Sequence, residues 1–309
     1  MSPTRTRGDI QQAEALATDV KVDRGACIAC GACTRLCSAG LFEMRDGKLV
    51  KGENPKTGCA ECGHCMAVCP TEAIFAKDFD YSGCIAAEHR PDDPERLAGL
   101  FAARRSVRDF SPEPIPREVV ERIIKSATEA PMALPPQKLG ITAIIGREKV
   151  GEIAKVCEQE FERFGKNLKK PIFRMIMWMS MSGKDYKFVR RFVGDFLVPT
   201  LMASKAQGRD GVTYGAPALL LIHGGKSDFG GTEDAQILAT YLQLAATAEG
   251  WGSIILGDVP PLFENFRPQY KAKYGIPNGN KVILSVALGK SNIIFLRSAP
   301  RKLKSVNFS

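Results

Sequence analysis

Eight of the ten cysteines in this chain belong to a pattern written twice, and no other feature restricts what it can fold into so tightly. The first half reads Cys27-x-x-Cys30-x-x-Cys33-x-x-x-Cys37 and the second Cys59-x-x-Cys62-x-x-Cys65-x-x-x-Cys69-Pro70. Three thiolates stepping by three residues wrap one face of an iron–sulfur cubane, and the cysteine four residues on points away to close the other. The spacing therefore assigns Cys27, Cys30, Cys33 and Cys69 to one 4Fe-4S cluster, and Cys59, Cys62, Cys65 and Cys37 to a second. Structural zinc would use paired knuckles and leave the third and fourth cysteines of each half idle. Disulfides need an oxidising compartment, and residues 1–10 are polar and charged where a secretion signal has an apolar core. Cys84 and Cys157 stand outside the repeat and are expected to be small buried residues.

With 309 residues and 44% hydrophobic content, the chain can bury a sizeable core and form two domains. Residues 1–90 carry 11 Lys and Arg against 12 Asp and Glu, so the net charge of +9 comes from the remainder. No basic run with interleaved aromatics accompanies it, which argues against nucleic acid and for anionic cofactors or acidic partners. The most apolar run, residues 171–181, is short and carries Arg174, whereas a spanning helix needs roughly 20 apolar residues. A cytoplasmic protein without a transmembrane segment is expected.

In chain order, residues 1–19 read as a polar tail with at most one short helix. Residues 20–86 hold the cysteines, with a hairpin around Asp46-Gly47 between the halves. His64, between two ligands, reads as a solvated loop residue. The stretch 87–94 is proline-rich and charged, a linker. Beyond it come a helix over 95–103 capped by Asp93, a second over 117–129 with apolar residues at helical spacing, and strands over 141–145, 218–222 and 281–288. A long helix spans 233–249. No Gly-x-Gly-x-x-Gly follows a strand, so a nicotinamide Rossmann domain is not expected.

Residues 20–86 resemble a bacterial-type two-cluster ferredoxin, with Ser38 where the usual repeat has proline after Cys37. Arg104-Arg105-Ser106-x-Arg108-x-Phe110, then Pro114-Ile115-Pro116, a helix and Ala130-Pro131, resemble the opening of the FMN-dependent nitroreductase family. Gly215-Ala216-Pro217 before a buried strand and Gly250-Trp251-Gly252 before Gly257 agree in order, so the resemblance covers about residues 94–309. It implies an α+β fold: a ferredoxin-like domain followed by a nitroreductase-like sandwich with a mostly antiparallel central sheet flanked by helices. It also implies FMN at the interface of a homodimer.

By that resemblance Arg104, Arg105, Ser106 and Arg301 would hold the FMN phosphate and ribityl chain, a task suited to bidentate guanidinium groups. Arg108 would face the N1 and O2 edge, where a cation favours the reduced anion. Ile255, Leu256 and Gly257 would border N5, and Met132 and Gln137 would stand near the ring. Met132 and Pro135 replace the family's usual serine and asparagine, which makes the flavin face drier. Together the halves imply an anaerobic oxidoreductase: electrons from a low-potential donor such as ferredoxin or flavodoxin pass through the clusters to FMN, which reduces a nitro, quinone, enone or similar electrophile. The alternatives are a module exchanging electrons between NAD(P)H and ferredoxin, and a flavin-handling or redox-sensing protein with little turnover.

The insert over 157–214 is where substrate choice is expected. Phe188, Phe192 and Phe196 recur beside Val189, Val193 and Leu197, with Lys184, Lys187, Arg190 and Arg191 at the rim. Three readings fit this amphipathic stretch: helices packed on the core or across the dimer, a membrane-surface element, and a methionine-rich lid over the flavin.

Overall fold

The computed structural model describes residues 13–17, 20–53, 58–76, 79, 81–133, 138–226, 228–299 and 301–308. The chain divides into two units between Arg90 and Pro91, inside the proline-rich stretch.

In the first unit β1 (Ala13–Ala17), β2 (Val20–Asp23) and β5 (Ile74–Ala76) form an antiparallel sheet in the order β1-β2-β5. The expectation of a tail with at most a short helix is thus corrected: part of residues 1–19 is a strand on the sheet edge. Val20, Val22, Ile74 and Phe75 are buried beneath it, and Tyr81 packs edge-on against Phe75 at 5.4 Å while donating to the Ile74 carbonyl at 2.9 Å. The expected hairpin is present as β3 (Phe42–Arg45) and β4 (Lys48–Lys51), paired across Asp46-Gly47. Two short helices, α1 (Ala32–Leu36) and α2 (His64–Ala67), begin at matching places in the two cysteine halves.

The second unit is a sheet between two helical layers. Strands β6 (Gly140–Ile145), β7 (Ala218–Gly225), β8 (Gly252–Leu256) and β9 (Asn280–Gly289) lie in the order β6-β7-β9-β8, every pairing antiparallel. Residues 218–224 of β7 are all buried, since both faces of a central strand are covered here. Leu219 and Leu221 enter one core with α5 (Arg147–Leu168) and α8 (Val198–Ala206); Ala218, Leu220 and Ile222 enter the other with α4 (Arg117–Ala127) and α9 (Gly231–Ala248). On α4 the buried Val119, Val120, Ile123 and Ala127 repeat at helical spacing, so its apolar stripe follows directly from the sequence. Ahead of it, α3 (Asp93–Ala103) starts two residues earlier than expected, with Asp92 rather than Asp93 at its cap.

Between α5 and α8 the insert forms α6 (Pro171–Ser180), α7 (Gly183–Phe188) and a π-helical stretch, Val189–Leu197. The single broad apolar face expected there is split. Val193 and Leu197 pack against the core, while Phe188, Phe192 and Phe196 are exposed. At 3.6 residues per turn the phenylalanines and the Val193–Leu197 pair fall on adjoining arcs, and only the second arc meets the core.

Candidate functional site

The two cysteine sets line two cavities of the first unit. Cys27, Cys30, Cys33 and Cys69 surround one together with Leu49 and Ile74. Cys37, Cys59, Cys62 and Cys65 surround the other with Leu41 and Phe42. The crossed arrangement has a backbone cause. Ala29 and Glu61 adopt φ of 52° and 53°, and Gly31 and Gly63, at the helix caps, adopt 69° and 72°. These left-handed turns, twice in each half, curl the chain around its cavity and turn peptide N–H groups inward. Backbone N–H groups donate to the sulfurs, among them Leu41 to Cys37 at 3.4 Å, Glu61 to Cys59 at 3.4 Å and Ala73 to Cys69 at 3.2 Å.

The electrostatics of the cavities fit a positively charged core. Burial raises the Cys33 thiol, and like-charge repulsion from Cys69, Cys27 and Cys30 adds to it. Burial likewise pushes Cys65 up to about 12, helped by Cys62 and Cys59. Four such thiolates can coexist only around cations, which iron supplies in a cubane. Cys157 is buried as expected, but Cys84 is exposed, a correction to the expected burial: it lies in irregular chain after the last short turn of the unit, where no second layer covers it. His64 is exposed and opens α2.

In the second unit the basic residues gather at the edge of β8. Arg104 caps α3, its N–H donating to Leu100 at 2.9 Å. The chain then runs along β8, with a parallel bridge between Ser106 and Ser253 and a bond from the Val107 N–H to the Ser253 carbonyl at 3.1 Å. Gly252 permits this approach, because a Cβ there would stand 2.7 Å from Val107 Cγ2. Burial lowers the Arg104 guanidinium, followed by repulsion from Arg301 and Arg105. Three cations separated by some 200 residues of chain thus meet with no ion pair among the described residues, which is the arrangement an anionic group would fill. The Ser253 hydroxyl, buried beside Ser106, has no hydrogen-bond partner among the described residues.

Ile255 and Leu256 end β8, and Gly257 follows, exposed. Arg108 hydrogen-bonds the Tyr214 hydroxyl, whose residue has φ of 56°. Met132 precedes Ala133, whose N–H donates to Asp234 in the first turn of α9 at 2.8 Å; nothing described ties Met132 to the arginines. Gln137 and Pro135 lie outside the described residues. Sequence reasoning missed one group here: Asp258 is half-buried, with its carboxyl pushed up to about 7, chiefly by desolvation and further by Asp210. Asp210 itself takes the N–H groups of Val212, Thr213 and Gly215 at 2.8 to 3.0 Å. The only signal for Asp258 was its place directly after Gly257.

Residues 101–290 match the model of the nitroreductase family, and residues 26–74 that of the 4Fe-4S dicluster domain. An FMN-bound nitroreductase from Desulfitobacterium hafniense aligns with a TM-score of 0.52 at 20% identity, covering 69% of this chain and 97% of that one. An FMN-bound nitroreductase from Bacteroides fragilis gives 0.51 at 19% identity, with 69% and 98% covered. At these identities the likeness is one of fold. The archaeal-type NADPH glutamate synthase of Thermotoga maritima is 43% identical over 83 residues, 26% of this chain and 15% of that protein. The iodotyrosine deiodinase of Danio rerio is 34% identical over 71 residues, 23% of this chain and 24% of that protein. The chain therefore covers a quarter or less of these curated relatives.

Proposed function

Since the chain belongs to the nitroreductase family and carries a 4Fe-4S dicluster domain ahead of it, we propose that it is an FMN- and iron–sulfur-dependent oxidoreductase, reduced by a low-potential donor and acting on an organic electrophile. The observation that carries this reading is the meeting of Arg104, Arg105 and Arg301 without an acidic partner, in a fold otherwise found around FMN. In it FMN supplies two-electron hydride exchange, and each 4Fe-4S cluster supplies one-electron relay.

Arg104, Arg105, Arg301 and Ser106 hold the phosphate end of the flavin, and the Ser253 hydroxyl, without a partner among the described residues, is available beside Ser106. Arg108, oriented by Tyr214, sets positive charge at the pyrimidine edge. Ile255 and Leu256 keep the ring's neighbourhood dry, and Gly257 lets it approach the backbone. Cys27, Cys30, Cys33 and Cys69 hold one cluster; Cys37, Cys59, Cys62 and Cys65 hold the other. The donor is a ferredoxin or flavodoxin, and the electrophile is a nitro compound, quinone, enone or similar acceptor.

The working form is a homodimer. Ile294, Leu296, Leu303 and Phe308, beyond β9, are all exposed, an apolar surface of the kind a second copy covers. The test compares turnover with reduced ferredoxin, NADH and NADPH, in the native chain and in Cys62→Ser. Ferredoxin-driven turnover should be the fastest and should fall in Cys62→Ser, while direct hydride reduction of the flavin persists. Equal loss with all three donors would refute the cluster route.

A further inference from the structure

The α6 helix is apolar around most of its circumference yet meets protein on one side only. Phe173 and Met177 form its packed face, with the Phe173 ring 5.9 Å from Phe164 of α5. Ile172, Met175, Ile176, Trp178 and Met179 occupy the opposite arc and face outward, with exposures of 70% for Ile172, 64% for Trp178 and 67% for Met179. A helix of this composition is stable only with a second apolar surround. The next helical stretch repeats the arrangement: Phe188, Phe192 and Phe196 stack outward on one another at 5.1 and 5.8 Å.

Cations accompany this surface. Residues 169–191 contain seven Lys and Arg and one Asp. One cavity sets Trp178 beside Lys187, Arg190 and Arg191, with Asp195 the sole acidic member of its lining. A neighbouring cavity adds Lys169 and Arg174. None of these five cations forms an ion pair among the described residues, whereas Lys166 and Lys205, just outside, are paired to Glu162.

The charge decides between occupants. A second copy docked face to face would bring two unpaired basic rims together, and a purely apolar partner would bury five unpaired cations. An anionic bilayer surface satisfies both features, with acyl chains against the apolar arc, phosphate oxygens in the basic cavities, and tryptophan at the boundary. No helix among the described residues is long and apolar enough to cross a membrane, and the ten residues of α6 reach only about 15 Å, so the element would lie along the interface. We propose that α6, α7 and the π-helical stretch dock this protein onto anionic phospholipid surfaces.

The test uses the full holoprotein with vesicles of phosphatidylcholine alone or mixed with phosphatidylglycerol. Of the two tryptophans, Trp251 is buried, so emission shifts report Trp178. Co-sedimentation and a blue shift are expected with the anionic vesicles only, and both should weaken with salt. Lys187→Gln, Arg190→Gln and Arg191→Gln together should cut partitioning by roughly fivefold per cation removed. Trp178→Ser with Met179→Ser should lower partitioning at unchanged flavin content and unchanged mass in sedimentation velocity. Absence of binding to anionic vesicles, or equal binding to neutral ones, would overturn the proposal. So would a drop in mass for the serine variant, which would show that a second copy covers this face.

Discussion

Replacing Asp258 by Asn should change how the stability of the second unit depends on pH. Burial raises this carboxyl from 3.8 to about 7, and Asp210 adds to the rise. Burial first, and the same two carboxylates after it, raise the Cys157 thiol and the Tyr214 hydroxyl, the latter against the opposing pull of Arg108, so these groups lie close to one another. Between about pH 4 and 7 the folded chain keeps a proton that the unfolded chain has released. Stability from this group is therefore fullest below about pH 4 and is lost as the pH rises through 7. A shift of this size corresponds to about 4 kcal/mol, and residual solvent access brings it to roughly 2–4 kcal/mol. Asn has no proton to lose, so Asp258→Asn should lack this part of the slope and gain stability over the native chain at alkaline pH. Urea unfolding followed by tryptophan fluorescence reads the second unit alone, since Trp178 and Trp251 both lie in it. Infrared spectra should also show a protonated carboxyl at neutral pH that the variant lacks. Identical pH slopes for the two proteins would refute a neutral Asp258 in the folded chain.

Arg104→Ala or Arg301→Ala should each weaken FMN binding by about 1.5–3 kcal/mol, the size of a charge-assisted hydrogen bond, measurable by titration calorimetry. Arg108→Ala should lower the flavin midpoint potential by removing a cation that favours the reduced anion; an unchanged potential in spectroelectrochemistry would remove Arg108 from that role. Iron analysis should give about eight atoms per chain, unaffected by Cys84→Ser with Cys157→Ser and reduced by Cys69→Ser. Gly252→Ala should destabilise the second unit by roughly 1–3 kcal/mol and weaken FMN binding, because the added methyl pushes residues 106–107 off β8.

The cysteine spacing determined the division into two four-thiol sets because i, i+3 steps and local left-handed turns are short-range properties. The buried strands were legible for a similar reason: runs such as residues 218–222 have one stable use, between two covered faces. Periodicity also located α4 and α9 to within two residues at either end. Three things depended on tertiary structure. Strand β1 forms on the edge of β2 because backbone groups there find partners, which its alanine-rich, helix-favouring sequence does not announce. The phenylalanines of the insert point outward because the core meets only the adjoining arc, that of Val193 and Leu197, and which arc is covered depends on what packs there. The arginine set and Asp258 exist as sites only once residues far apart in sequence meet, since burial and Coulomb interaction depend on distances that a linear order of residues does not contain.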